Sequence, residues 1–538
     1  MTPEEQTHTA AIAEFEQSTE PRRRLSWVRI CGLIVLIAAT VATTAGFRAA
    51  ARRTPPTESP SSFAPYVDVT ATPQFGFEDP SQSQSTNLVL GFVVSATKHA
   101  CEPSWGAAYS LAAAATGMDL DRRIARLRQR GGEVSVSFGG VANSELSVGC
   151  TEVTKLTAAY RAVVQRYSIG TIDLDIEGSA ASSSAAVARR ATAIAALQAQ
   201  QTAAGHPLGV WLTLPVTPQG LTTVGQAVVD AMLAGHVTLA GVNALTMDFG
   251  NPVPAGQTMA SLSTSALMAL GQQLRNAYTA AGVSLDEAQA WQRVGATPMI
   301  GQNDTPTERF ELTDGRELAA FAQRHHLRRL SMWSVNRDRA CGPNYANVEV
   351  VSDNCSGVTQ GPAAFTSLFS ASTGTAAGQT STTGSAAARQ TSTTGSAATG
   401  NSPGTTITTE TADNPAASPY PIWNPAQAYP KNVKTVWHHN VYQAKWYTQG
   451  DMPDAPVASP FDTPWTLIGP VLPGEHPISS SRLKAGTYPA WNATQVYVAG
   501  ARVLYDGVGY QAKWWTQGDV PGTAVLTPSN TAWQSLAG

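Results

Sequence analysis

The chain has 538 residues, too many for a single domain at roughly 100–200 residues each. Lys and Arg number 35 against 38 Asp and Glu, a net charge of −3, which excludes a nucleic-acid binder that works by neutralising phosphate. With 43% hydrophobic residues and 13 Trp, the chain is not wholly disordered either.

In chain order, residues 1–24 read as a cytoplasmic leader ending in Arg22, Arg23 and Arg24. Residues 25–47 contain the uncharged run Ile30–Phe47, just long enough to cross a hydrocarbon core. Two readings stand: a signal peptide cut near Thr43-Thr44-Ala45, or a transmembrane anchor that stays. In both, the arginines hold the leader inside and the rest of the chain is exported, secreted or anchored at the cell surface. Residues 48–62, rich in Pro, Ser and Arg, are a tether, and membrane contact is expected only through the N-terminal segment. Cys31 falls in the apolar run, leaving Cys101, Cys150, Cys341 and Cys355 in the exported part. Four cysteines in an oxidising compartment imply two disulfides with three possible connectivities. Cys101–Cys150 with Cys341–Cys355 is preferred, because the second pair closes a short loop. Neither CxxC nor HExxH spacing occurs, so neither a metal site nor a cofactor is expected.

Residues 63–370 alternate β-like and helical stretches, the pattern of an α/β fold. The strand candidates are Tyr66–Thr70, Leu88–Ser95, Glu133–Phe138, Thr171–Glu177, Val210–Pro215, Val242–Asp248, Ala296–Gly301 and Leu330–Val335, with Ala-rich helices such as Asp119–Arg130 and Ser184–Gln201 between them. Eight such units fit a (β/α)8 TIM barrel, whose active site lies at the C-terminal strand ends. A doubly wound open sheet is the competing topology, and no glycine-rich phosphate fingerprint favours it.

Residues 371–417 form a Ser/Thr/Gly/Ala-rich linker in which Gln379–Ala387 recurs as Gln390–Ala398. Beyond it the sequence is duplicated. Tyr442–Pro453 (YQAKWYTQGDMP) returns as Tyr510–Pro521 (YQAKWWTQGDVP), and the same offset of 68 maps Trp423 on Trp491, Tyr429 on Tyr497 and Trp465 on Trp533. Residues 418–470 and 486–537 are therefore two copies of one small all-β module. Trp423, Trp465, Trp491 and Trp533 are assigned to the module cores, since so small a unit has little else to bury. His438-His439, replaced by Asp506-Gly507 in the second copy, reads as a hairpin turn.

The chemistry concentrates in Asp173-Leu174-Asp175-Ile176-Glu177. Residues two apart share a strand face, so the three carboxylates line up and the apolar residues face the helices. Burial and mutual repulsion must then raise at least one pKa. A carboxyl that stays protonated near neutral pH is what cleavage of a glycosidic bond requires as general acid. Residues 63–369 resemble glycoside hydrolase family 18, the chitinases and their relatives. Ser137-Phe138-Gly139-Gly140 is similar to that family's S-x-G-G strand end, Asp173–Glu177 to its D-x-D-x-E signature, and Met247-Asp248 and Trp333 to its sixth- and eighth-strand cleft positions. Met332–Ser334 followed by Asn336-Arg337-Asp338 is similar to the branch that includes archaeal and actinobacterial chitinases. The chain departs from the pattern at Gly170-Thr171, where the family often has Asp-Gly, and at Met247 and Phe249, where an aromatic hydroxyl commonly stands beside the aspartate.

The resemblance implies a retaining, substrate-assisted mechanism. Glu177 protonates the leaving oxygen and later activates water, Asp175 orients the attacking acetamide, Asp173 tunes Asp175, Asp248 bonds the acetamide or the acid, and Met247 and Trp333 bind sugar. The duplicated modules resemble carbohydrate-binding families 5 and 12. There the adjacent pairs Trp446-Tyr447 and Trp514-Trp515 would offer flat faces to pyranose rings, although on a regular strand one of each pair would point into the core. The expected protein is thus a monomeric extracellular chitinase acting on chitin or a related N-acetylglucosamine polymer. An endo-β-N-acetylglucosaminidase and a non-catalytic chitin-binding lectin are the alternatives.

Overall fold

A computed structural model describes residues 62–250, 252–345, 347–373, 412–477, 484, 486–505, 507–521 and 532–536. The leader, the apolar run, the tether and most of the linker lie outside the described residues. Among the described residues no helix is long and apolar enough to cross a membrane.

Each of the eight strand candidates overlaps a strand, but strands four, six, seven and eight end before their candidates do, the last covering only Arg329–Leu330. The successive parallel strands are Asn87–Ala96, Glu133–Gly139, Thr171–Asp175, Gly209–Thr217, Gly241–Leu245, Val294–Thr297 and Arg329–Leu330. The first strand closes the ring in two pieces. Ser62–Phe63 pairs in parallel with Arg329–Leu330, and Tyr66–Asp68 pairs in parallel with Val89–Gly91. The sheet therefore shuts on itself as a TIM-type barrel, and the open doubly wound alternative is excluded. The strand sequences read as near-continuous apolar runs because a parallel sheet wrapped by helices is buried on both faces. Val136, Ile172, Leu174, Leu212, Val242 and Ala296 are all buried.

The helices start where side chains satisfy their free N–H groups. Ser183 caps Ser184–Ala203, Thr222 caps Thr223–Ala234, and Thr258 with Ser261 forms a capping box on Met259–Ala280.

Both expected disulfides are present. Cys101, on a hairpin that extends the second strand, is joined to Cys150 at the end of the helix Leu146–Gly149. Cys341–Cys355 closes a 14-residue separation after the eighth strand.

Over the described residues of the duplicated region, matching strands pair in each copy. In the first, Ala428–Tyr429 pairs with Thr448–Gln449, and Lys434–Trp437, Asn440–Ala444 and Trp465–Pro470 form an antiparallel sheet. In the second, Val496–Tyr497 pairs with Thr516–Gln517, and Arg502–Tyr505, Val508–Ala512 and Trp533–Ser535 form the matching sheet. Trp465 and Trp533 are buried, each donating its indole N–H to a backbone carbonyl, of Asp451 at 2.9 Å and Asp519 at 2.7 Å. Trp423 and Trp491 are only partly buried, packed against these cores. His438 and His439 make the hairpin turn with φ of 47° and 59°, the left-handed pair that a two-residue hairpin loop demands.

Candidate active site

The site is built at the C-terminal rim of the barrel, where strand pairing runs out. Strand four ends at Asp175, two residues earlier than the sequence pattern suggests, and Glu177 lies beyond it at the start of the helix Gly178–Ser182. Strand six likewise ends at Leu245 and not at Asp248. Thr246 N–H still donates to the Thr297 carbonyl at 3.0 Å, and beyond it the chain turns, with Asp248 in a left-handed conformation at φ 48°. Strand eight is short, and Trp333 follows it, bridged to Met299 of the seventh unit.

Asp173 sits deepest and is fully buried. One carboxylate oxygen accepts from Tyr66 Oη and Ser137 Oγ, each at 2.8 Å. The other accepts from Thr213 Oγ1 at 2.7 Å and Arg329 Nη1 at 3.1 Å. Its acceptor capacity is thereby taken up by residues of strands one, three, five and eight, which fixes it in place. Asn243 extends the network, donating to Thr213 Oγ1 at 3.1 Å and Thr297 Oγ1 at 2.7 Å.

One strand step outward, Asp175 is 4% exposed, and its Oδ1 has no hydrogen-bond partner among the described residues. Burial pushes its carboxyl well above the usual range, with repulsion from Glu177 and Asp173 adding and Arg329 opposing. The Asp175 main chain is held by the glycine pair of strand three. Gly140 N–H donates to the Asp175 carbonyl at 3.0 Å, and a Cβ on Gly139, at φ 106°, would stand 2.1 Å from that oxygen. Only glycine fits there.

Glu177 is half-buried at the cleft, and its carboxyl is raised to about 7, by burial first and then by Asp248 and Asp304. Of the three carboxylates in the triad, Asp175 and Glu177 are the raised ones, each by burial first. Repulsion between Glu177 and Asp175 along the strand is thus joined by repulsion from Asp248 and Asp304, which line the same cleft. Asp248 Oδ1 accepts from Thr305 N–H at 2.7 Å. Buried Glu308 ties down the same turn, accepting from Phe249 N–H at 3.1 Å and Gly250 N–H at 3.0 Å. Asp304 is itself raised by burial and by Asp248.

Asp175, Glu177, Met247, Asp248 and Trp333 line one cleft of about 550 Å³ together with Tyr66, Phe92, Asp304 and Asp353. Trp333 stacks on Phe92 with ring centroids 5.4 Å apart and planes at 28°, making a broad apolar wall. Tyr66, Phe92, Thr213, Asp304, Arg329 and Asp353 were not singled out from the sequence. Tyr66 begins a strand candidate and Phe92 lies inside one, so inward-facing aromatics of the first two strands were the available signal. Asp304 and Asp353 arrive on loops, for which the sequence carries no period.

The aromatic pairs of the small units lie outside this cleft. Trp446 and Tyr447 are 46% and 37% exposed, and Trp514 and Trp515 are 42% and 61% exposed. Each pair stands in the bend between two strands, which releases both rings where a regular strand would bury one.

Residues 490–534 match the carbohydrate-binding module family 5/12. Over 289 residues, 52% of the chain, the sequence is 34% identical to a probable bifunctional chitinase/lysozyme of Escherichia coli strain K12. It is 33% identical over 283 residues to endochitinase 11 of Metarhizium anisopliae. The matched regions span 31% and 52% of those two proteins' own lengths. The catalytic domain of a hyperthermophilic chitinase from Pyrococcus furiosus superposes with a TM-score of 0.50 at 25% identity, covering 59% of this chain and 97% of that one. Over about half its length the chain is thus similar to chitinases in sequence, and its barrel is similar to a chitinase catalytic domain in fold. Its C-terminal end carries a family 5/12 carbohydrate-binding module.

Proposed function

We propose that the chain is an exported retaining chitinase that cleaves β-1,4 N-acetylglucosamine linkages by substrate-assisted catalysis. The observation that carries this reading is the pairing of Glu177, protonated up to about pH 7, with the unpartnered, buried Oδ1 of Asp175 in the same cleft. Glu177 gives its proton to the glycosidic oxygen as the bond to the anomeric carbon breaks. The substrate's own acetamide oxygen attacks that carbon, and Asp175 receives the acetamide N–H at its free oxygen. The carboxylate left on Glu177 then takes a proton from water, which opens the cyclic intermediate with net retention. Asp173, held by Tyr66, Ser137, Thr213 and Arg329, fixes the charge facing Asp175. Asp248 lines the same cleft, and Trp333 with Phe92 supports the apolar face of the sugar.

Both small units act as carbohydrate-binding modules through Trp446-Tyr447 and Trp514-Trp515, whose exposure has no role in packing. The chitinase names of the relatives, and the disulfides suited to an oxidising compartment, support an exported enzyme that meets an insoluble polymer. Glu177→Gln is expected to lower release of reducing sugar from colloidal chitin more than about 100-fold while adsorption to chitin is unchanged. Adsorption without turnover in the parent chain would instead establish a lectin. Cleavage of glycoprotein glycans in preference to chitin would establish the endo-β-N-acetylglucosaminidase.

A further inference from the structure

The barrel helix Leu120–Gln129 turns one face to the first small unit. Arg122 grips Glu475 with both terminal nitrogens, at 3.0 and 2.5 Å, and also donates to the Pro470 carbonyl. Arg126 donates to the Leu467 carbonyl. At the head of the helix Asp119 receives Lys434 Nζ at 2.5 Å. Between these anchors Gly469 packs so closely that an added Cβ would lie 2.8 Å from the Arg122 carbonyl oxygen and 3.1 Å from Arg126 Cβ. A two-pronged Arg–carboxylate pair with side chains 6% and 22% exposed is directional and partly shielded, unlike a solvated surface pair.

The duplication shows that this face is particular to one copy. The two units are nearly identical through the aromatic stretch, YQAKWYTQGDMP against YQAKWWTQGDVP. At the same offset of 68 the docking strand diverges: Leu467 corresponds to Ser535, Gly469 to Ala537 and Pro470 to Gly538. The second copy thus has, at Ala537, the Cβ that the contact excludes, and a serine where Leu467 offers its carbonyl to Arg126.

We infer that the helix Leu120–Gln129 is a docking face that accepts the first unit and rejects the second. The first unit is a fixed extension of the barrel, presenting Trp446 and Tyr447 at a set position relative to the cleft. The second serves as the separately tethered arm. The division of labour rests on the sugar-binding role proposed above; the docking itself does not.

Small-angle scattering of the full chain tests the docking independently of any sugar. The parent chain is expected to fit the barrel and first unit as one rigid body. Arg122→Glu is expected to increase the radius of gyration and maximum dimension, and so is Glu475→Arg, which leaves the barrel sequence intact. The double reversal Arg122→Glu with Glu475→Arg should restore the parental curve, and Gly469→Ala alone should open it. A parental curve that requires the first unit to move freely would overturn the inference. So would charge reversals and Gly469→Ala that all leave the curve unchanged in chains with the parental circular dichroism spectrum.

Discussion

A half-buried glutamate that titrates near 7 has two measurable consequences. In the proposed mechanism Glu177 acts as the protonated acid, so the basic limb of the kcat/KM profile on soluble chito-oligosaccharides is expected near pH 7. Asp304 is one of the charges holding it there, so Asp304→Asn should move that limb to lower pH with a smaller effect on the plateau rate. An unmoved limb would show that the repulsion does not reach the reacting group. Stability changes in the same window. The folded chain keeps the Glu177 proton to about 7, whereas an ordinary glutamate releases it near 4.5, so folding loses stability as pH rises between those values. Glu177→Gln is therefore expected to stabilise the fold at pH 7 by on the order of 1–3 kcal/mol and to have little effect at pH 4, as read by thermal unfolding at both values. The carboxylate ladder was legible in the sequence because alternation along a strand is a strict period of two. The groups that set its titration were not. Asp304 comes from a loop, and Arg329 reaches Asp173 across 156 residues of sequence.

At the level of elements, the segment closed by Cys341–Cys355 brings Val351 and Asp353 to the cleft wall. Replacing both cysteines by serine releases the constraint on a short loop, at a cost of about 3 kcal/mol in the chain-entropy account. The wall should loosen with it: KM for chito-oligosaccharides is expected to rise several-fold and kcat to fall less, which steady-state kinetics would separate. A kcat loss with KM unchanged would instead place the loop's influence on the reacting groups. The eight barrel strands were legible because buried parallel strands read as apolar runs, each set off by an amphipathic helix. Their ends were not. Apolar character continues through Ile176 beyond the last ladder residue of strand four, and nothing in the residue pattern marks where the rim loses its partners. The exposed aromatic pairs illustrate the same limit, since period-two alternation would have buried Trp446 or Tyr447 had the strand not bent there.

For the whole molecule, two sugar-binding units as proposed would act through effective concentration on an insoluble surface, where paired weak sites exceed either alone by roughly 10²–10⁴. Removing residues 478–538 is expected to lower activity on crystalline chitin several-fold and leave soluble oligosaccharides nearly unchanged. Replacing Trp446 and Tyr447 by alanine in that shortened chain should remove most of the remaining surface activity. Equal losses on soluble and crystalline substrates would mean that the units belong to the catalytic fold. The duplication was legible as a constant offset, but its asymmetry was not, because docking depends on contacts of Lys434, Leu467, Gly469, Pro470 and Glu475 with a helix more than 300 residues earlier. The most direct test of the chemistry is proton NMR of the first products from a soluble chito-oligosaccharide. The β-anomer should appear first and equilibrate later, with no product from Glu177→Gln over the same interval. An α-anomer appearing first, or undiminished cleavage by Glu177→Gln, would contradict retaining catalysis by this glutamate.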